Sequence, residues 1–302
     1  MTEEVEKMLI EKNVPPFDVT KKMSDFVTDI SEQVKKIRDN YSDLEKRPHL
    51  RRNNRIRSVY SSLAVEANSL SPAEVRAVID GKTVLGPQRE IREVQNAYRA
   101  YEMIGEFNPY SIQDFKKLHG VMTEMLIEES GKFRRGEEGV FDGSKCIFMA
   151  PPARLVNELT ENLFDWLNNS RNKINPLIAS SVFHYELVFI HPFSDGNGRM
   201  ARLWQTALLS DKNDFFQYIP LESQIQKFQA EYYKAIADSH KTGKSNIFVE
   251  FMLEKIFETL TEVLRTLPDF GSNDDDVTVT IKPLKRPIVK KSPNDDKTRG
   301  GR

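Results

Sequence analysis

Cysteine is almost missing from this chain: Cys146 is the only one in 302 residues. A lone thiol excludes an intramolecular disulfide and a multi-cysteine zinc site. Cys146 lies between Lys145 and Ile147 in what reads as a hairpin, so it is expected to serve as a small apolar side chain rather than a nucleophile. Histidine is scarce as well, and His49, His119, His184, His191 and His240 show no tight ligand spacing. His184 and His191 could share a helix face, but zinc needs more ligands than their neighbourhood supplies. His184 therefore reads as a core or hydrogen-bonded histidine. Net charge is nearly absent, with 44 basic against 45 acidic residues and a formal charge of −1. No global pull toward nucleic acid or a membrane follows.

Long apolar runs are missing too: no stretch of about 18 uninterrupted apolar residues exists. The start, Met1-Thr-Glu-Glu-Val-Glu-Lys, lacks the basic and apolar regions of a secretory signal. These absences predict a soluble cytoplasmic protein with no membrane or nucleic-acid partner. Strand-like alternation is rare and no internal repeat is evident, whereas apolar residues recur at helical spacing through most of the chain. The fold class is therefore mainly α, and 302 residues allow one or two domains with a sizeable core.

What is present is concentrated in His191-Pro-Phe-Ser-Asp-Gly-Asn-Gly-Arg-Met-Ala-Arg202. The preceding residues 177–190 are apolar nearly all round, which reads as a central buried helix. Pro192 disfavours helix at the residue before it, so that helix should end near His191. Gly196-Asn197-Gly198 tolerate positive φ and let backbone N–H groups converge on an anion. From Arg199 the pattern is helical again: Met200, Leu203, Trp204, Ala207 and Leu208 share one face, and Arg199 and Arg202 stand roughly 60° apart on another. Two guanidinium groups at a helix N-terminus behind a glycine-rich nest favour phosphate. Asp195 offers a hard ligand for Mg²⁺ beside a polyphosphate. His191 offers a proton acceptor for a hydroxyl nucleophile. The helix dipole at its C-terminal position favours the imidazolium and opposes that role, while the nearby arginines and Mg²⁺ push the other way.

This run resembles the signature of the Fic family, His-x-Phe-x-(Asp/Glu)-Gly-Asn-Gly-Arg-x-x-Arg, and matches every specified position. The resemblance implies a Fic-like helical bundle with a small β-hairpin flap, and transfer of AMP from ATP and Mg²⁺ to a hydroxyl of a target protein. It implies that His191 deprotonates a Ser, Thr or Tyr hydroxyl and that Asp195 holds Mg²⁺. Ser194, Gly196, Asn197 and Gly198 would belong to the nucleotide site, with Asn197 and its flanking glycines cradling the α-phosphate. Arg199 and Arg202 would neutralise the β- and γ-phosphates, and Phe193 would anchor the loop in the core.

A second element lies upstream. Residues 54–68 read as a helix, and Ser62-Leu-Ala-Val-Glu66 sets a hydroxyl and a carboxylate on one face. It resembles the inhibitory helix of Fic proteins, (Ser/Thr)-x-x-x-Glu-(Gly/Asn), placed N-terminal in the same chain. Ser62 and Glu66 would then be inhibitory, with Glu66 paired to Arg202 in the γ-phosphate site. Ala67 departs from that pattern: alanine continues a helix where glycine would end it, so the helix end is expected to shift.

The remaining elements follow in order. A helix is expected over about 18–44, as a bundle partner or an oligomer contact, which leaves a homo-oligomer open. Ser71-Pro72 with Glu74 reads as a capping box starting a helix that stops at Asp80-Gly81. Helices follow over 87–105, from Ser111 to about Ile127, and over 154–168. Between the last two, Asp142-Gly143 sits in a hairpin over 139–148; in the Fic family a flap here pairs with the target main chain, while the plain alternative is a surface hairpin. Residues 221–237 and 246–267 read as helices that close a nucleoside pocket by resemblance, with Tyr233 as the adenine contact or else a core aromatic. The organisation expected is a lead-in (1–50), an inhibitory-helix region (51–105), a core (106–210), closing helices (211–268) and a disordered tail (269–302). The leading function is an auto-inhibited protein adenylyltransferase that also labels itself. The alternatives are a de-AMPylating hydrolase using Glu66, transfer of another group such as phosphate or phosphocholine, and a non-catalytic nucleotide-binding switch.

Overall fold

A computed structural model describes residues 14–40, 48–142 and 145–266, leaving aside the side chains of residues 40, 140–147 and 266. The expected tail, residues 1–13 and 41–47 of the lead-in (41–44 being the end of the first expected helix), Gly143 of the hairpin turn and the side chain of Cys146 fall outside the described residues. The described part is a mainly α fold of eleven α-helices with one two-stranded sheet. None of its helices is long and apolar enough to cross a membrane.

Its centre is α7 (Pro176–Ile190), capped by Asn175 on the Leu177 N–H, with proline at its first position. Residues Leu177 to Leu187 are buried without interruption, which is why this segment carries no polar stripe. Packed along it is α8 (Asn197–Ser210), in which every residue from Arg199 to Leu209 is buried. The expected apolar face of α8 is confirmed by Met200, Leu203 and Trp204, all fully buried. The polar face is covered as well, by α2 (Pro48–Val65) and by α4 (Gln88–Glu102).

α1 (Lys21–Asn40) begins later than expected because Thr20 caps it through the Met23 N–H. α3 (Pro72–Ile79) has the expected Ser71–Glu74 capping box. α5 (Ile112–Met122) starts at the Ser111 cap but stops short of Ile127, where the Thr123 hydroxyl donates to the His119 carbonyl and Met125 takes a positive φ of 60°. Strands β1 (Gly139–Asp142) and β2 (Lys145–Met149) form the expected antiparallel hairpin, with a bulge between Val140 and Phe141. α6 (Val156–Ser170) follows a short 3-10 turn.

The expected helix over 221–237 is corrected: it is two helices, α9 (Leu221–Lys227) and α10 (Gln229–Thr242). Phe228 leaves helical geometry at the break, with the Lys255 ammonium 4.0 Å from its ring centroid, and Gln229 is freed to donate to the Val65 carbonyl. The chain closes with α11 (Asn246–Thr266), which packs on α1, α7 and α10.

α2 also differs from expectation. It begins at Pro48, a residue suited to a first helical position, and it ends at Val65 rather than Asn68. Ala67 does not prolong it. Ala67 takes φ 63°, its N–H donates to Ala64 and the Asn68 N–H to Leu63, so a Schellman motif ends the helix on an alanine.

Candidate active site

Because α7 stops at Ile190, His191 becomes its C-cap in the left-handed region, φ 52°, immediately before Pro192. Phe193 then turns into the core at 0% exposure, stacked on His119 with 3.5 Å between centroids and lying 5.1 Å from Phe115. The expected anchoring role of Phe193 is what the geometry displays. Burial holds the His191 imidazole below its ordinary pKa; a hydrogen bond to Val188 opposes this, Arg134 adds to it, and Glu66 and Asp195 oppose it. Desolvation, the largest of these effects, therefore favours the neutral imidazole over the imidazolium that the helix end would favour.

The loop closes on itself through Asn197. Its side-chain oxygen accepts from the Phe193 N–H at 2.9 Å and its amide donates to the Phe193 carbonyl at 2.7 Å. The Asn197 side chain thus shapes the loop, with both its polar atoms taken up by Phe193. Gly196 has φ 83°, and a Cβ there would lie 3.1 Å from Thr123. Asp195 is engaged on both oxygens: one accepts from the Gly196 N–H and from Arg199, the other from Arg89 at 2.7 Å. Burial would raise its pKa, but Arg199, the Gly196 N–H and Arg89 hold it below the ordinary carboxylate value. Ser194 is exposed at the loop's crest.

Arg199 and Arg202 are 4% and 2% exposed. Arg202 donates from Nε to the Ser62 hydroxyl at 3.0 Å and from one terminal nitrogen to the Ser62 carbonyl at 2.9 Å and to Glu66 at 2.7 Å. The expected Glu66–Arg202 pair is present. Burial works against the Arg202 charge, yet Glu66 holds its pKa above the ordinary value. A Cβ added to Gly198 would lie 2.3 Å from the Glu66 carboxylate oxygen, so Glu66 sits directly on the N-terminal turn of α8. Among the described residues, three buried nitrogens, Nε and one terminal nitrogen of Arg199 and one of Arg202, have no hydrogen-bond partner. Leaving such groups unmade is costly, and each would be satisfied by a phosphate oxygen.

Tyr233 lies at the rim, 46% exposed, its hydroxyl 3.4 Å from the Val65 carbonyl at the end of α2. His184 is a fully buried histidine bonded to Gln205 and Tyr232, as expected. The hairpin stands beside the site, with Phe148 stacked on His240 and 5.7 Å from Phe189 of α7.

Several residues of the site escaped sequence reasoning. His119 was passed over for lack of ligand spacing, yet its Nδ1 accepts from the Gly131 N–H and its Nε2 lies 3.0 Å from the Asp195 carbonyl. Those partners assign the proton to Nε2, and burial lowers its pKa to about 4. Glu93 lies 3.8 Å from Arg199 and accepts from Asn68, and Glu90 accepts from Ser69, so α4 braces the end of α2. Arg134 donates to the His191 carbonyl. None of these belongs to a compact motif, so no spacing could have singled them out.

Among the described residues no three His, Cys, Asp or Glu side chains gather as a metal cluster. A single ionised carboxylate beside a phosphate cradle is nonetheless what Mg²⁺ commonly uses, and Asp195 fits that description.

The Fic/DOC family model matches residues 109–209. The chain is similar to the protein adenylyltransferase fic-1 of Caenorhabditis elegans, at 30% identity over 213 residues covering 66% of this chain and 40% of that protein. It is also 30% identical over 184 residues to the protein adenylyltransferase Fic of Nematostella vectensis, covering 53% of this chain and 42% of that one. The chain thus spans less than half the length of these curated relatives. Among solved structures, the crystal structure of a Fic family protein from Desulfovibrio desulfuricans G20 is similar with a TM-score of 0.79 at 39% identity, covering 87% of this chain and 79% of that chain.

Proposed function

This chain belongs to the Fic/DOC family, and from that premise we propose that it transfers AMP from ATP to protein hydroxyl groups, its own included, and is restrained by Glu66. The observation that carries this reading is the buried arginine pair above the Gly196–Gly198 turn, with unpartnered N–H groups and Glu66 seated where a terminal phosphate would go.

In this reading the α-phosphate rests against the main-chain N–H groups of the first turn of α8, where the dipole and free donors favour an anion. The β- and γ-phosphates engage Arg199 and Arg202. Asp195 would hold Mg²⁺, whose charge neutralises phosphate oxygens and orients them. His191, whose neutral form burial favours, takes the proton of a Ser, Thr or Tyr hydroxyl as its oxygen attacks the α-phosphorus, and pyrophosphate leaves with the electron pair of the broken P–O bond. Much of the rate enhancement would come from positioning and charge neutralisation. Tyr233, half exposed beside the end of α2, would contact adenine. Glu66 opposes all this by offering its own carboxylate to Arg202. It is 37% exposed while Arg202 is 1% exposed at the side chain, so the restraining group is the one that can leave.

The test incubates wild type, Glu66→Gly and His191→Ala with Mg²⁺ and ATP labelled once on the α- and once on the γ-phosphate. Protein-bound α-label should rise in Glu66→Gly and vanish in His191→Ala. Bound γ-label would replace the reading with phosphate transfer. Nucleotide binding without label in any variant would turn it toward hydrolysis of AMP or a nucleotide switch.

A further inference from the structure

Arg134 is 3% exposed, and its neighbour Arg135 is exposed. Among the described residues every hydrogen bond of its guanidinium ends on a main-chain carbonyl. Nε donates to His191 at 2.7 Å, one terminal nitrogen to Gly136 at 2.7 Å, and the other to Pro151 at 2.5 Å and more distantly to Ile190 at 3.4 Å. Its own main-chain N–H donates to the Pro192 carbonyl at 2.9 Å.

These acceptors belong to two structures. Ile190 and His191 supply carbonyls from the last turn of α7, which the helix itself leaves without donors. Gly136 and Pro151 stand at the two stems of the hairpin, just outside the point where the Ala150 N–H donates to the Glu138 carbonyl. A guanidinium is suited to this because its donors are fixed in one plane and diverge. Burial works against its charge, with Glu137 and Glu138 partly offsetting the cost.

We propose that Arg134 is a positioning residue: it fixes the left-handed turn carrying His191 to both stems of the β1–β2 hairpin, so that base and hairpin move as one unit. The catalytic meaning of this rests on His191 being the base. A non-glycine residue in the left-handed region is strained, and such a conformation persists only where its surroundings over-determine it. Arg134 supplies that determination at His191, on the carbonyl of the strained residue and on its two neighbours. The charged groups that act on the His191 imidazole are Arg134, Glu66 and Asp195, and Arg134 is the one that opposes its protonation.

The test uses the full chain with Arg134→Met, which removes both charge and donors, and Arg134→Lys, which keeps the charge but cannot span both stems. Titration of the His191 ring is followed by NMR, assigned by the resonance that disappears in His191→Ala. Label transfer from α-labelled ATP is followed against pH in the Glu66→Gly background, with thermal midpoints alongside. Arg134→Met should titrate His191 at higher pH than wild type and slow labelling roughly 10- to 100-fold, with the acid limb of the pH profile displaced upward. Arg134→Lys should titrate as wild type yet label slowly at an unchanged thermal midpoint. Parental titration and parental labelling in both variants overturn the proposal, as does a loss of labelling that merely tracks the folded fraction. Should Arg134→Met fail to fold, the lysine variant decides, and a parental rate overturns. If not even Glu66→Gly transfers label, the functional reading is at fault; a raised His191 titration in Arg134→Met then still supports the positioning role and an unchanged one overturns it.

Discussion

Asp195 has one partner it can lose and others it cannot. Arg199 is 4% exposed at the side chain and the Gly196 N–H is part of the loop, whereas Arg89 is 49% exposed. An ion pair so open to water is worth about 0–1 kcal/mol, so if Asp195 holds a metal ion as proposed, that ion would displace Arg89 first. Removing that competitor should therefore tighten metal binding modestly. Titration of Mn²⁺ into the protein with a non-hydrolysable ATP analogue should show Arg89→Ala binding about two- to fivefold tighter than wild type. Equal or weaker binding would mean that Arg89 helps to hold the nucleotide instead. Asp195, with His191 and the two arginines, was legible from one twelve-residue run because the loop brings together groups already close in sequence. Arg89 was not, since it reaches Asp195 from another helix, 106 residues away.

The end of α2 shows how an element can keep its geometry against its own sequence. Alanine prefers to continue a helix, yet Ala67 stands in the left-handed position with both Schellman hydrogen bonds made. What holds it there is tertiary. Gln229 donates to the Val65 carbonyl, Asn68 and Ser69 are tied to Glu93 and Glu90, and Glu66 is paired with buried Arg202. The strain of about 1–2 kcal/mol resides in this arrangement, and glycine at position 67 would relieve it. Ala67→Gly should stabilise the paired state by about 1 kcal/mol, raise the melting temperature by about 2 °C, and lower basal α-label transfer up to about fivefold. A rise in basal transfer would show that the alanine, not glycine, favours the Glu66–Arg202 arrangement.

On the scale of the whole molecule, α7 is so enclosed that it buries the carboxyl of Glu186, with one oxygen lacking a hydrogen-bond partner among the described residues. Desolvation raises its pKa to about 8. A carboxyl whose pKa is raised on folding adds stability below its unfolded value and loses it as pH rises through the folded one. Glu186 therefore costs the native state increasingly between about pH 4.5 and pH 8, at up to about 1.4 kcal/mol per pH unit. Urea unfolding of Glu186→Gln and wild type at pH 5.0 and pH 7.5 should show the difference moving in favour of the glutamine variant as pH rises. A difference independent of pH would mean that Glu186 ionises freely in the folded protein.

The sequence by itself determined the mainly α class, the buried central helix, the loop between two helices from His191 to Arg202 and the Ser62–Glu66 face, because each is written in periodicity or in residues adjacent along the chain. It also marked the hairpin and the capping box at Ser71. Only the tertiary structure decided that helix 221–237 breaks at Phe228, that α2 ends on a left-handed alanine, and that desolvation overrides the helix dipole at His191. It alone assembled His119, Glu93, Arg89 and Arg134 around the loop. Those outcomes depend on burial and on partners far apart in the chain, and neither quantity has a local signature in a sequence.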